Sequence, residues 1–277
     1  MRFQTENPAE RLPKPMASLD GRPLLWHIMK YYSYFGHQQF GLCLGHHGAT
    51  IQDYFRGREF ADDGWEIEFL DTGLDSSIGE RFAQTQAYVG DDEVFLASYG
   101  DTLTDAPLPQ LIETHAASGK VASLLASKPN YTFNVIDADE SHVVTGFGDV
   151  TESGMWINGG FFVFRRAVYD YVRAGEDLPE TLNRLIADRE LYAYKYGGFW
   201  APLDTIKDRE RLEALVRGGG SVWQVWNAPE AAGECRSSGS EPTARPLSRC
   251  SRSGRTRTTS RSAAAARSSG SPRRSPS

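Results

Sequence analysis

Hydrophobic positions along this chain change period repeatedly, and each change marks a new element. Leu24, Leu25, Ile28, Met29 and Tyr32 recur at the spacing of one helix face, with Pro23 in the first turn and Gly36 as a stop. The run 40–44 reads as a strand. A helix over 49–56 leads to Trp65, Ile67 and Phe69, whose alternation predicts a strand with one face inward. A helix over 79–89 ends at Gly90, ahead of Val94-Phe95-Leu96-Ala97-Ser98-Tyr99-Gly100-Asp101, an apolar run that reads as a buried strand. Pro107 starts a further helix. Strands at 121–126, 133–137, 143–147 and 156–164 then give a strand-rich half. Two helices, a short strand at 192–195 and a helix over 204–216 close the pattern. No internal repeat is visible. The order predicts an α/β fold with a mostly parallel sheet covered by helices.

Composition sharpens this reading. The 277 residues, 40% hydrophobic and 12% aromatic, are enough for one large core or a core with a small annex. No stretch reaches the roughly 20 apolar residues of a membrane helix, and the first dozen residues are polar, so the sequence reads as cytoplasmic with no membrane partner. Cys43, Cys235 and Cys250 are odd in number and lack metal-ligand spacing, which argues against a disulfide framework and a zinc site. Cys43 reads as a small core residue.

The formal charge of −6 hides a division. Residues 227–277 carry ten arginines, no lysine and three glutamates, a net +7, which leaves −13 on residues 1–226. So acidic a body is a poor nucleic-acid surface. The tail lacks any aromatic residue and is built of Arg, Ser, Ala, Gly and Pro, which cannot form a core. The folded domain is therefore expected over 1–226, with 227–277 a disordered extension whose abrupt change of composition fits a gene read out of frame. Its Arg252-Ser253 and Arg261-Ser262 pairs leave polyanion binding as an alternative.

Four segments carry candidate chemistry. Asp101 ends a buried strand, the edge at which open α/β sheets bind ligands, and an uncompensated charge there needs a cation. Its plain structural alternative is a cap on the following turn. Leu12-Pro13-Lys14-Pro15-Met16 places one lysine on a loop stiffened by two prolines, which suits a phosphate, although a solvated lysine is the simpler reading. Asn158-Gly159-Gly160 offers paired glycines that let a ligand approach the backbone. Asp204, in Trp200-Ala201-Pro202-Leu203-Asp204-Thr205, is either a ligand or the N-cap of the helix behind it.

Other chemistries lack their residues. The adjacent His46 and His47 would face different directions, no histidine pair stands at i, i+4, and His27 lies within an amphipathic helix. There is no Gly-x-Ser-x-Gly elbow and no GxGxxG after a strand.

Taken in order and spacing, these segments resemble the sugar nucleotidylyltransferases, most closely the glucose-1-phosphate cytidylyltransferase branch. The likeness spans residues 1–226 and includes Gly21-Arg22-Pro23-Leu24-Leu25-Trp26-His27, Asp71-Thr72-Gly73 with Ile78-Gly79-Glu80-Arg81, and Val222-Trp223-Gln224-Val225-Trp226. It implies a Rossmann-like, mostly parallel sheet of the nucleotidyltransferase type with a smaller strand-rich sugar-side lobe. The implied reaction joins a sugar 1-phosphate to a nucleoside triphosphate and releases pyrophosphate, with CTP and glucose 1-phosphate the favoured pair. By the same resemblance Asp101 and Asp204 would hold Mg²⁺, and Lys14 and Arg2 would be catalytic. Arg2, Lys14, Thr72, Gly73, Gly79, Arg81 and Asp101 would contact the nucleotide, and Asn134, Asn158 and Gly160 the sugar. Aromatic surface near Trp223 and Trp226 is compatible with a homo-oligomer.

Three departures qualify the resemblance. The family opens with a strand and a GGxGxR-type loop that cradles the triphosphate, of which only Met1-Arg2 stands here. The sheet is therefore expected to lack a central strand and the chain to be poorly stable or inactive. Gly148-Asp149-Val150-Thr151-Glu152 stands where those relatives carry a sugar-holding Glu-Lys-Pro, and Phe133-Asn134-Val135 where a glycine follows the aromatic. The alternative class is a catalytically impaired, sugar-nucleotide-binding relative.

Overall fold

The computed structural model describes residues 12–56, 63–130, 133–227 and 257–261, the last five as backbone. The chain runs β1 (Ser18–Leu19), β2 (Arg22–Pro23), α1 (Leu24–Tyr34), β3 (Gln39–Leu44), α2 (Gly48–Phe55), β4 (Glu66–Asp71), α3 (Ile78–Gln84) and α4 (Gln86–Val89). It continues through β5 (Val94–Tyr99), β6 (Thr102–Thr104), α5 (Leu108–Ser118), β7 (Ala122–Ser127), β8 (Asn134–Ala138), β9 (Val144–Asp149) and β10 (Ile157–Arg165). It closes with α6 (Leu178–Ala187), β11 (Leu191–Tyr196), β12 (Trp200–Pro202), α7 (Ile206–Arg217) and β13 (Arg257–Arg261).

Seven strands form the central sheet in the order β11-β7-β10-β5-β13-β3-β4. Only β10 runs antiparallel to its neighbours; β11 with β7, and β5, β13, β3 and β4, pair in parallel. This is the expected α/β architecture. One face packs Leu24, Ile28, Phe40, Leu42, Leu96 and Leu212 into a core. The other packs Phe82, Phe95, Phe162, Phe164 and Leu185. Burial on both faces explains the unbroken apolar run of β5.

The slot between β3 and β5 holds β13, with Thr258 opposite both Phe40 and Leu96. Five residues of the basic tail thus join the sheet, a departure from the expectation that the domain stops near Trp226. Unpaired backbone on both flanking strands supplies the demand, and the β-branched Thr258 and Thr259 suit extended backbone.

Smaller differences have local causes. The helix expected over 79–89 divides at Thr85, whose hydroxyl donates to the Phe82 carbonyl at 2.6 Å and meets the Tyr169 hydroxyl at 2.7 Å. β8 and β9 pair with each other as a separate ribbon that leaves Phe133, Ile136 and Phe147 exposed. Trp223 is core, not surface: it is 1% exposed and stacks on Phe199 at 5.6 Å. Trp226 is half-buried and packs edge-on against Trp26. His27 is a satisfied core imidazole, with Nε2 2.8 Å from the Leu19 carbonyl and the Trp223 indole N–H donating to Nδ1 at 3.5 Å. Cys43 is buried, the small core residue expected. Among the described residues no helix is long and apolar enough to cross a membrane.

His115 on α5 is buried against β7, with Nδ1 2.8 Å from Ser123 Oγ. Its Nε2 has no hydrogen-bond partner among the described residues. Burial, aided by Arg165, lowers its pKa to about 4. Below the ordinary pKa of about 6.5 the unfolded chain takes up a proton that the folded chain refuses, so this group costs stability as the pH falls. The expected loss between about pH 6.5 and 4 is on the order of 3 kcal/mol. Chemical denaturation across that range should show a shallower pH dependence for His115→Gln than for the parent; equal slopes would assign the effect elsewhere.

Candidate active site

Two short strands fix the site. β6 follows Asp101 directly and pairs antiparallel with β12, Thr102 opposite Pro202. Beyond that ladder the Leu203 N–H donates to the Asp101 carbonyl at 2.8 Å. Asp101 and Asp204, remote in sequence, therefore share one edge of the fold.

Lys14 stands between them. Its ammonium donates to Asp204 Oδ1 and lies 4.0 Å from Asp101 Oδ2. The lysine rides on a single tight turn, Lys14–Met16, closed by the Met16 N–H donating to the Pro13 carbonyl at 2.7 Å. Pro15 and Met16 are buried, so an apolar plug anchors the turn while the ammonium stays outside. The Lys14 and Asp204 side chains are 42% and 44% exposed, and such a pair contributes only about 0–1 kcal/mol to folding. Strand pairing and the proline turn hold these charges together; their attraction does not hold the fold.

Asp204 is not the helix cap. α7 begins at Ile206 with Thr205 as N-cap, its hydroxyl accepting from the Asp208 N–H at 3.1 Å. Asp208 returns the bond, its carboxylate accepting from the Thr205 N–H at 2.9 Å. This Thr-x-x-Asp box satisfies the first turn and leaves the Asp204 carboxylate to Lys14. The box is visible in the sequence, and it was the signal that separates the two readings of Asp204.

The loop after β4 is built around Arg81. Its Nη1 donates to the Leu44 carbonyl at 2.9 Å and to Thr72 Oγ1 at 2.7 Å, its Nε to the Ser76 carbonyl at 3.1 Å, and its Nη2 to the Leu74 carbonyl at 3.3 Å. Arg81 and Thr72 are 4% and 1% exposed, so both shape the loop from within. Gly45 admits the guanidinium, since a Cβ there would lie 2.6 Å from both terminal nitrogens. Gly79 serves packing, because a Cβ would stand 2.4 Å from the Glu176 carbonyl oxygen. Gly73 has φ +83, and its N–H donates to Asp71 Oδ1 at 3.2 Å.

Across the sheet from Asp101, β10 shifts register between Asn158 and Phe162. Gly160 has φ +78 and donates its N–H to Asn158 Oδ1 at 2.9 Å. Its missing side chain makes room for the Tyr99 ring, 2.6 Å from where a Cβ would be. Gly159 gives its carbonyl to the Trp200 indole N–H at 2.8 Å. The paired glycines thus build a bulge that admits protein groups. Asn158 is exposed above it, with its amide 3.5 Å from the Tyr99 hydroxyl; Tyr99 is a contact that the sequence did not single out. Asn134 lies elsewhere, exposed on the β8–β9 ribbon opposite Asp149. Arg2 lies outside the described residues.

No family model matches the chain. The chain is 35% identical to glucose-1-phosphate cytidylyltransferase of Salmonella typhi over 235 residues, 77% of this chain and 91% of that one. The chain belongs to the sugar-1-phosphate nucleotidylyltransferase family. A second relative, the D-glycero-alpha-D-manno-heptose 1-phosphate guanylyltransferase of Aneurinibacillus thermoaerophilus, is 28% identical over 192 residues, 68% of this chain and 80% of that one. The fold is that of HddC from Yersinia pseudotuberculosis, with a TM-score of 0.56 at 17% identity over 74% of this chain and 90% of that one. The nucleotidylyltransferases are enzymes, and Lys14, Asp101 and Asp204 converge where this sheet architecture places ligands.

Because Arg81 serves four acceptors with one planar fork, Arg81→Lys should not replace it. Stranding those acceptors is expected to cost at least roughly 3 kcal/mol. Thermal denaturation reads this directly, and a lysine variant as stable as the parent would contradict the scaffold role.

Proposed function

We propose that this chain joins CTP to glucose 1-phosphate, giving CDP-glucose and pyrophosphate. The single observation that carries the reading is the Lys14 ammonium set between the carboxylates of Asp101 and Asp204. Relatives at 35% identity that bear the name glucose-1-phosphate cytidylyltransferase support the choice of base and sugar.

A phosphate oxygen of the sugar 1-phosphate attacks the α-phosphorus of the triphosphate, and the α–β bridging bond breaks as pyrophosphate leaves. The attacking oxygen is already anionic, so the protein needs no general base. Its task is to position anions and offset their charge. Lys14 supplies a fixed cation on a rigid turn. Asp101 and Asp204 fit Mg²⁺, which takes one or two carboxylates and completes its shell with phosphate oxygens and water. That ion, when bound, supplies charge neutralisation on the phosphates. The turn at Gly73, held from beneath by Arg81 and Thr72, lies at the base, and the bulge at Asn158 and Gly160 faces the sugar. Asn134 joins the sugar site only if the β8–β9 ribbon closes over it.

Pyrophosphate release should be screened with CTP, UTP, dTTP and GTP against several sugar 1-phosphates. CTP with glucose 1-phosphate is expected to dominate, and selectivity for another pair would overturn the assignment. Asp101→Asn and Asp204→Asn should each lower kcat on the order of 10²–10³-fold, with little change in melting temperature because both side chains are substantially exposed. Near-normal turnover in either variant would remove the paired carboxylates from the mechanism.

A further inference from the structure

Three side chains that the preceding mechanism does not use meet at the sugar-side edge of the sheet. Lys128 follows β7, Lys195 lies near the end of β11, and Trp156 precedes β10. Register explains the meeting: Ser127 pairs with Ile157 on one side and with Tyr196 on the other. Both ammonium groups sit over one indole, Lys128 Nζ at 4.6 Å and Lys195 Nζ at 5.4 Å from the ring centroid. Among the described residues neither lysine has an ion pair, in a body that is strongly acidic overall. Two like charges on one ring repel each other, and an exposed cation–π contact contributes only about 0.5–1 kcal/mol. The arrangement gains most when an anion lies between them.

The surroundings agree. Lys128 lines a cavity of about 290 Å³ together with Ser127, Asn130, Thr151 and Trp200. Asp149, two residues from the Thr151 that shares this cavity, spends its carboxylate on Thr151, accepting from its N–H at 2.8 Å and its hydroxyl at 2.7 Å. Two strand spacings separate β7 from β5, about 10 Å, so the pair lies beyond the carboxylates and past Asn158.

We propose that Lys128 and Lys195, held over Trp156, form an anion-binding subsite for the sugar substrate, taking a phosphate or carboxylate of that molecule. The inference rests on the nucleotidylyltransferase reading and names where this chain obtains positive charge on the sugar side.

Calorimetric titration of the full chain with glucose 1-phosphate and with glucuronate 1-phosphate, Mg²⁺ present, tests it without turnover. Lys128→Met and Lys195→Met should each weaken binding about tenfold, and Lys128→Arg should retain it. Equal loss for both ligands assigns the pair to the 1-phosphate; loss confined to glucuronate 1-phosphate assigns it to a second anion on the sugar. A double Met variant that binds both ligands within twofold of the parent, or a parent that binds neither, overturns the subsite. A parent that binds but releases no pyrophosphate with any nucleotide overturns the reaction and leaves the subsite standing.

Discussion

The site depends on one small ladder, β6 against β12, that brings two carboxylates to a common edge. Three residue pairs and the Leu203 to Asp101 hydrogen bond suffice. Without it Asp101 would end one strand and Asp204 would precede a helix, each with its own solvation. With it the two charges repel unless a cation intervenes, and Lys14 arrives from a turn whose apolar half is buried. Because the pairs are largely exposed, their electrostatic energy is small on the scale of folding. The fold holds the charges in place for a ligand whose own charge is large.

Much of this was legible in the chain. The period changes give the α/β order, and the runs ending in Asp101 and Asp204 give the two carboxylates. Less legible was which polar residues touch a ligand and which brace the backbone. Arg81 and Thr72 lie where the resemblance implies base contacts, yet they are inside the loop, bonded to Leu44, Leu74 and Ser76. A sequence motif records both kinds of residue with equal weight, because losing a brace deforms the site as surely as losing a contact. Burial separates them, and burial of a charged residue is not readable from local pattern. The glycines at 159 and 160 make a related point. Glycine marks close approach, and the groups that approach are Leu125 and Tyr99.

The central slot illustrates a limit of hydrophobic patterning. A central strand of a parallel sheet is usually a Val, Ile and Leu run, whereas Arg257-Thr258-Thr259-Ser260-Arg261 is polar throughout. Nothing in the period of the tail predicts a strand there. What the structure shows is backbone pairing: β13 lies in parallel register between β3 and β5, each of which presents a row of N–H and C=O groups that need partners. Backbone hydrogen bonding is independent of sequence, so its claims on the chain are invisible to a reading that follows side chains.

Charge at the edge near Trp156 shows the same separation between motif and physics. A lysine from the segment around Asp149 would be one way to meet an anion there, and this chain carries an aspartate instead. The aspartate is turned onto Thr151, whose two donors hold its carboxyl below the ordinary range and keep it local. Positive charge comes from two other strands and converges on Trp156. A binding site requires charge at a place and not at a sequence position, and a sheet edge offers several strand ends from which a long side chain can reach one place. If the proposed subsite holds, substrate preference in this chain is to be sought in where those ammonium groups converge.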